Sequence, residues 1–228
     1  MDLQQAIRER HSVRKYTDRP IEPEKAAEIQ KLIDECNAEG GLHIQLVQNE
    51  PLAFSTGIFK YGQFSGVKNY IALVVKKDGN HEEAVGYYGQ RIVLLMQSLG
   101  LNSCWVGLTF KNIKSAYQMK PDEKLRMVIA CGYGESNGAA RKLKPISRFY
   151  KDARSENAPL PEWFERGMEA ALLAPTAMNR QKFFFTLLNG NKVAAKASFD
   201  LMGYAPLDLG IVKCNFEIAA GKENFEWA

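Results

Sequence analysis

The sequence predicts an α+β protein. Three observations carry that prediction. Two long stretches, at 23–36 and 82–99, place apolar residues at helical spacing. Short apolar runs lie between the helical stretches, and Tyr70–Val75 is the strongest of them, a continuous run of the kind a buried strand shows. Glycine and proline stand where these elements should start and stop. Periodicity gives a list of elements and leaves their connections open.

In chain order, a short helix begins at Asp2, puts Leu3 and Ile7 on one face, and ends near His11. A second helix starts with Pro23 in its first turn. Its apolar face reads Ala26, Ile29, Leu32, Ile33 and Cys36, and Gly40 and Gly41 stop it. A strand follows at Leu42–Val47. The glycine- and aromatic-rich stretch Phe54–Gly66 reads as a loop, and Tyr70–Val75 as a buried strand. The strongest helix runs from Glu82 to Leu99, with Val85, Tyr88, Ile92, Met96 and Leu99 on one face and Gly100 beyond its end. Strands are expected at Ser103–Val106 and Leu125–Cys131. The polar, proline-containing segment Ser155–Leu160 reads as a linker. A helix from Pro161 through Leu173, a strand at Phe183–Leu188 and a last helix from Pro206 to Ala220 complete the list. Helix, loop, strand and long helix thus occur twice, Lys25–Val47 with Glu82–Leu99 and then Glu162–Leu188 with Pro206–Ala220. Such order can recur by chance in an α+β chain, but it also fits an internal repeat whose second copy is shorter.

The 228 residues suit one large domain or two joined small ones, and 46% hydrophobic composition supports a packed core. Thirty basic and 26 acidic residues leave a net charge of +4, too little to imply nucleic acid but suited to an anionic ligand. The cysteines Cys36, Cys104, Cys131 and Cys214 are far apart, and His11, His43 and His81 form no ligand spacing. A zinc or iron–sulfur site and a disulfide framework are therefore not expected. No apolar run approaches membrane-spanning length and the N-terminus has no apolar signal core, so a reducing cytoplasm is the expected setting.

Four clusters could carry chemistry. Arg10-His11-Ser12-Val13-Arg14-Lys15-Tyr16 offers two guanidiniums and a hydroxyl. In an extended loop Arg10, Ser12 and Arg14 share one side, a set that suits a phosphate, although a solvated basic loop reads the same way. Ala174-Pro175-Thr176-Ala177-Met178-Asn179-Arg180-Gln181 lies between a helix and an aromatic strand. Its hydroxyl and carboxamides match the edge of a heterocycle, or make an ordinary polar connection. In Gly100-Leu101-Asn102-Ser103-Cys104-Trp105-Val106-Gly107, Gly107 would let a flat ring approach the backbone; alternatively this is a helix cap and a core strand. Arg141-Lys142-Leu143-Lys144-Pro145 is a second phosphate clamp or a solvated charge run. Gly132-Tyr133-Gly134 with Gly138 follows a strand, but its spacing and the basic, proline-broken segment after it fail the dinucleotide-binding pattern.

Taken together and in this order, the clusters resemble the FMN-dependent nitroreductase family. "RERHSVRKY" looks like that family's phosphate-binding start, and "EEAVGYYGQRIVLLMQSLGLNSCWVG" like its central helix and the strand behind the flavin. "APTAMNRQKFFF" looks like its P-S-S-x-N-x-Q-P-W motif and "ARKLKP" like its late basic segment. "KYGQFSGVKNYI" resembles a subfamily with two fused halves. The chain departs from the usual pattern in one large respect. The first half has Cys36-Asn37-Ala38-Glu39-Gly40-Gly41 where the P-S-S-x-N-x-Q motif belongs; the motif occurs only in the second half, with Ala177 for its second serine and Lys182-Phe183 for Pro-Trp.

The resemblance implies a mostly antiparallel sheet flanked by helices, in two unequal halves, 1–154 and 155–228, that form a single-chain pseudodimer. Family members are usually homodimers with flavin at the interface, and a fusion could keep one complete site while the other decays. FMN would then be held by Arg10, His11, Ser12 and Arg14, with Arg141 and Lys142 as helpers. Trp105, Val106 and Gly107 would lie behind the ring, and Thr176, Ala177, Asn179 and Gln181 would contact it from the second half. NAD(P)H would be the reductant and a nitroaromatic or quinone the acceptor. No side chain need act as acid or base, and the chain could be a monomer, with no nucleic-acid or membrane partner. An FMN store or sensor, or a basic interaction module without flavin, are the competing expectations.

Overall fold

The computed structural model describes residues 1–55, 64–79, 81–155 and 158–228. Residues 56–63 of the expected loop and 156–157 of the expected linker lie outside the described residues. The helices are α1 (Leu3–Glu9), α2 (Pro23–Gly40), α3 (Glu82–Ser98), α4 (Glu162–Leu172) and α5 (Ala205–Ala220). The strands are β1 (His43–Val47), β2 (Asn69–Lys76), β3 (Asn102–Val106), β4 (Glu123–Gly132), β5 (Tyr150–Asp152), β6 (Phe183–Leu188), β7 (Lys192–Ala197) and β8 (Glu226–Trp227). Among the described residues no helix is long and apolar enough to cross a membrane, and no cluster of His, Cys, Asp and Glu could hold a metal.

The chain packs as two compact units. One comprises Met1, Glu9–His81 and Ile92–Ala140; the other comprises Asp2–Arg8, Glu82–Arg91 and Arg141–Ala228. Packing thus divides the chain elsewhere than at 154/155. Residues 141–154 belong with the second unit because β5 pairs with β6, and α3 supplies residues to both units.

The expected antiparallel sheet forms in the first unit, and a second, mixed sheet forms in the other. In the first unit the order is β1-β2-β4-β3, every pair antiparallel. β2 is buried along nearly its whole length, which explains its unbroken apolar sequence. One face of this sheet packs on Val13, Tyr16, Val67 and Tyr117. α2 ends as its glycines predict, with Gly41 in the left-handed region at φ 61.

In the second unit the order is β5-β6-β7-β8, with β6–β7 antiparallel and the two edge strands parallel to their neighbours. Its core is aromatic: Phe185 stacks on Phe216 with ring centroids 4.9 Å apart, and Phe164, Phe225 and Trp227 surround Phe216. α5 runs through this core, buried on all sides. Its polar groups are paired accordingly: Asn215 accepts from Gln90 Nε2 at 2.9 Å and donates to the Ala170 carbonyl at 3.0 Å, and Glu217 accepts from Tyr87 and Trp227.

Within this unit the N-terminal half of α3 crosses α5 at two glycines. A Cβ on Gly86 would lie 2.0 Å from the Leu207 carbonyl oxygen, and one on Gly210 would lie 1.9 Å from that of Glu83. Only backbones without side chains can approach this closely. Gly210→Ala should therefore destabilise the protein by about 1–3 kcal/mol, overpacking outweighing alanine's better helix propensity. A urea midpoint equal to or above that of the wild type would show that the helices do not meet at this glycine.

Candidate functional site

The candidate residues fall into two sets, one in each unit. In the first unit, residues 10–17 run extended over the end of the sheet. Ser12 bridges to Ser103 of β3, and the Val13 N–H donates to the Ser103 carbonyl at 3.1 Å. Lys15 and Ser65 are bridged, the Glu135 N–H reaches the Lys15 carbonyl at 3.0 Å, and the Thr17 N–H reaches that of Tyr133 at 2.8 Å. Val13 and Tyr16 point into the core, where the Tyr16 hydroxyl donates to the Val13 carbonyl at 2.9 Å. Apolar anchors at these positions leave the intervening polar side chains to face elsewhere.

Three of those side chains act on Cys104 of β3. Burial pushes the Cys104 thiol up, while the charges of Arg14 and Arg10 and a hydrogen bond with Ser12 act in the opposite direction. Ser12 thus bonds the Cys104 thiol, and Arg10 and Arg14 lie within electrostatic reach of it. Arg10 is only 2% exposed, an uncommon setting for a guanidinium, whereas Arg14 is exposed. His11 is half-buried, and Gly138 packs so closely on it that a Cβ there would lie 2.9 Å from the His11 Cβ. Val106 is core, paired with Val128, and Gly107 follows the strand half-buried. The Trp105 indole Nε1 is buried with no hydrogen-bond partner among the described residues.

In the second unit the structure joins two clusters that are far apart in sequence. Arg141 donates to the Ala174 carbonyl, the Lys142 carbonyl accepts from Asn179 Nδ2 at 3.1 Å, and Lys144 Nζ reaches the Arg180 carbonyl at 3.0 Å. The 141–144 segment is thus a strap on the 174–181 loop. Burial holds Arg141 down to about 10, so an anion beside it would be favoured. The loop also bonds itself: Thr176 Oγ1 accepts the Gln181 N–H at 3.1 Å. Met178, Asn179 and Gln181 all lie in the left-handed region, at φ 51, 54 and 53, strain of the kind found where a chain is held for function. Gln181 is 4% exposed, and its Oε1 is buried without a partner among the described residues. Thr176 and Asn179, expected to contact a ligand, are thus engaged in shaping the loop, and Gln181 keeps an open acceptor.

Asp208, on the first turn of α5, was not singled out from sequence. An acid in a first helical turn is ordinary, so no local signal marks it. Both its carboxylate oxygens take the Ala177 N–H, at 3.1 and 2.9 Å, and burial, opposed by that bond and reinforced by the charge of Asp200, raises it to about 7.

Against known proteins, the family model described as "Putative TM nitroreductase" matches residues 2–220. The chain belongs to this family. A "Putative NADH dehydrogenase/NAD(P)H nitroreductase" of Methanothermobacter thermautotrophicus is 29% identical over 170 residues, 66% of this chain and 86% of that protein. The fold of a nitroreductase-family crystal structure from Thermotoga maritima, described as a putative nitroreductase, aligns with 98% of this chain and 85% of its own, with a TM-score of 0.65 and 22% identity. A putative nitroreductase from Desulfovibrio desulfuricans, solved in complex with FMN, aligns with 65% of this chain and 94% of its own, with a TM-score of 0.51 and 20% identity.

The elevated Asp208 sets a pH dependence. Its native value near 7 exceeds the usual 3.8, so the native state holds a proton that the unfolded chain releases. Stability should be greatest below about pH 4 for this group, fall as pH rises to about 7, and then level off, by at most on the order of 4 kcal/mol. Asp208→Asn removes this contribution. The stability difference between variant and wild type should shift in the variant's favour between pH 4 and pH 8 in denaturant titrations; a constant difference would contradict the assignment.

Proposed function

We propose that the chain is an FMN-dependent oxidoreductase that passes hydride from NAD(P)H, through bound flavin, to an electron-poor acceptor such as a nitroaromatic or quinone. The observation that carries the reading is the bridging of Ser12 to Ser103 of β3, with a buried Arg10 and an exposed Arg14 two residues to either side and both charges felt at Cys104, a donor set suited to a phosphate. Family membership and the FMN complex of the Desulfovibrio relative support it.

The residues fit such a cofactor in two further respects. Trp105 Nε1 and Gln181 Oε1 are buried polar atoms without partners among the described residues, a donor and an acceptor that a heterocycle with carbonyls and ring nitrogens can satisfy. Arg141 is a half-buried cation with a carbonyl partner. In this reading Arg10, Ser12 and Arg14 hold the phosphate, with His11 beside them and Arg141 and Lys142 as helpers. Backbone N–H groups at Val106 and Gly107 serve the ring. The 176–181 loop offers Gln181, while Thr176, Ala177 and Asn179 keep that loop in shape. Bound FMN supplies the hydride chemistry; the protein binds, orients and excludes water.

We further read the chain as a fused pseudodimer whose two residue sets serve one FMN. The helix crossing supports this. Gly86 meets Leu207 O and Ile211 N, and Gly210 meets Glu83 O and Tyr87 N. Each contact maps onto the other by one constant shift along the chain, the mark of an isologous interface between equivalent elements. α2-β1-β2-α3 and α4-β6-β7-α5 share their order, and β1–β2 and β6–β7 are both antiparallel. The Desulfovibrio chain, nearly whole, matches about two thirds of this one, as expected if a shortened second copy makes up the rest.

The purified protein should be yellow and release one FMN per chain. Arg14→Ala should weaken FMN binding about 10- to 150-fold, the value of a charge-assisted contact, and Lys15→Ala should change it little. Equal effects would mean a generally basic loop. Full FMN binding without stopped-flow reduction by NADH or NADPH would leave a flavin-binding protein and no reductase. FMN fluorescence across a dilution series tests the fusion: affinity independent of protein concentration is expected, since a site within one chain has no assembly step. Release that follows dimer dissociation by sedimentation would overturn the single-chain site.

A further inference from the structure

The 174–181 loop is tied down from several directions, by Arg141 at Ala174, by Gln181 to the Leu172 carbonyl and by contacts nearer the surface. Arg180 pairs with Asp200 at 3.3 Å, and the 141–144 strap bonds Asn179 and the Arg180 carbonyl. The tie from beneath is Asp208, 5% exposed, on the helix that runs through the core of this unit. Its two oxygens share the single Ala177 N–H, at the residue where the chain leaves the extended Thr176 (φ −132) and enters the strained turn.

We propose that Asp208 is the positioning residue of this loop: by fixing Ala177 from the first turn of α5, it sets the left-handed turn that presents Gln181. The proposal rests on the FMN reading. A carboxylate buried on one backbone donor is an expensive anchor for a turn that a hydroxyl or carboxamide could hold, and retaining a buried acid at such a cost is characteristic of functional sites. The groups around it come from two segments. The loop contributes the Ala177 N–H; the segment before α5 contributes Asp200, whose charge opposes that of Asp208 and which itself pairs with Arg180 and caps the Tyr204 N–H at 3.0 Å. Asp200 thus fastens the loop to the segment outside the helix, and Asp208 fastens it to the helix itself. The three left-handed residues need such an external hold, because Met178 and Gln181 gain nothing locally from that conformation.

The test uses the full chain with and without FMN. In flavin-free protein, amide exchange at Ala177 should be about tenfold faster in Asp208→Ala than in the wild type, the loss of one buried hydrogen bond. FMN affinity should fall by a similar factor, and the visible circular dichroism of saturating FMN should change shape. Asp208→Asn keeps an oxygen acceptor and should restore exchange, affinity and spectrum close to wild type. Should Asp208→Ala fail to fold, FMN affinity and the visible spectrum in Ala177→Pro, which lacks the donor, decide the matter: wild-type values of both overturn the proposal. It is also overturned if Asp208→Ala exchanges faster but binds FMN with unchanged affinity and spectrum, since the anchor is then merely structural. A wild type that binds no FMN at all defeats the flavin reading, and faster Ala177 exchange in Asp208→Ala then still supports the anchoring of the loop.

Discussion

The close contact of Gly86 and Gly210 is the constraint on which the second unit depends. Two long helices cross there with carbonyl oxygens where side chains would otherwise stand. Once the backbones are this near, the residues one turn on are brought within reach of one another. Lys213 pairs with Glu83, Tyr87 donates to Glu217, and Gln90 donates to Asn215. Asn215 in turn donates to Ala170, which ties α4 to the same crossing. α5 is consequently wrapped on every side, and Phe216 becomes the centre of the aromatic core. A larger residue at either glycine would separate the helices and leave this polar layer partly unpaired in an apolar surrounding, which costs more than the hydrogen bonds themselves contribute.

The elements with a strong period were legible in the sequence. The Pro23 and Gly41 signals bracket α2, the i, i+3, i+4 pattern marks α3, and the apolar run marks β2 to within a residue. β5, β7 and β8 were not legible. Lys192–Ala197 is alanine-rich with a lysine at each of two positions, and nothing in it favours a strand except its neighbour β6. β5 and β8 are three and two residues long, too short to show a period, and they exist because the edges of β6–β7 offer parallel partners. Tertiary pairing created them; local preference did not.

The candidate site was legible in the same uneven way. The alternation of Arg10, Ser12 and Arg14 follows from extended geometry and needs no other part of the chain. The placing of Ser12 beside Cys104 depends on the bridge between Ser12 and Ser103, which no spacing rule reveals. In the second set, the residue types that suggested ligand contacts are the same types that close turns. Hydroxyls and carboxamides serve either purpose, and the geometry assigns Thr176 and Asn179 to the loop. Sequence alone could not separate these roles, because the deciding partner of Asn179 is the Lys142 carbonyl, far away along the chain.

That assignment bears on what each set could do for a ligand. A phosphate needs cations and can be gripped by an exposed Arg14 as well as by a buried Arg10, since charge acts at a distance and tolerates side-chain motion. A heterocycle edge is read by single hydrogen bonds, whose strength falls steeply with angle and distance. The second set therefore has to be rigid where the first need only be positive. The two sets are held differently: residues 10–17 are held through their backbone with Arg14 exposed, whereas 174–181 is bound by its own hydroxyl, by the 141–144 strap and by Asp208. Loss of one cation should then weaken binding in proportion to charge, while loosening the loop should alter how the ring is held even where affinity survives, so the two kinds of variant should separate in spectrum as well as in affinity.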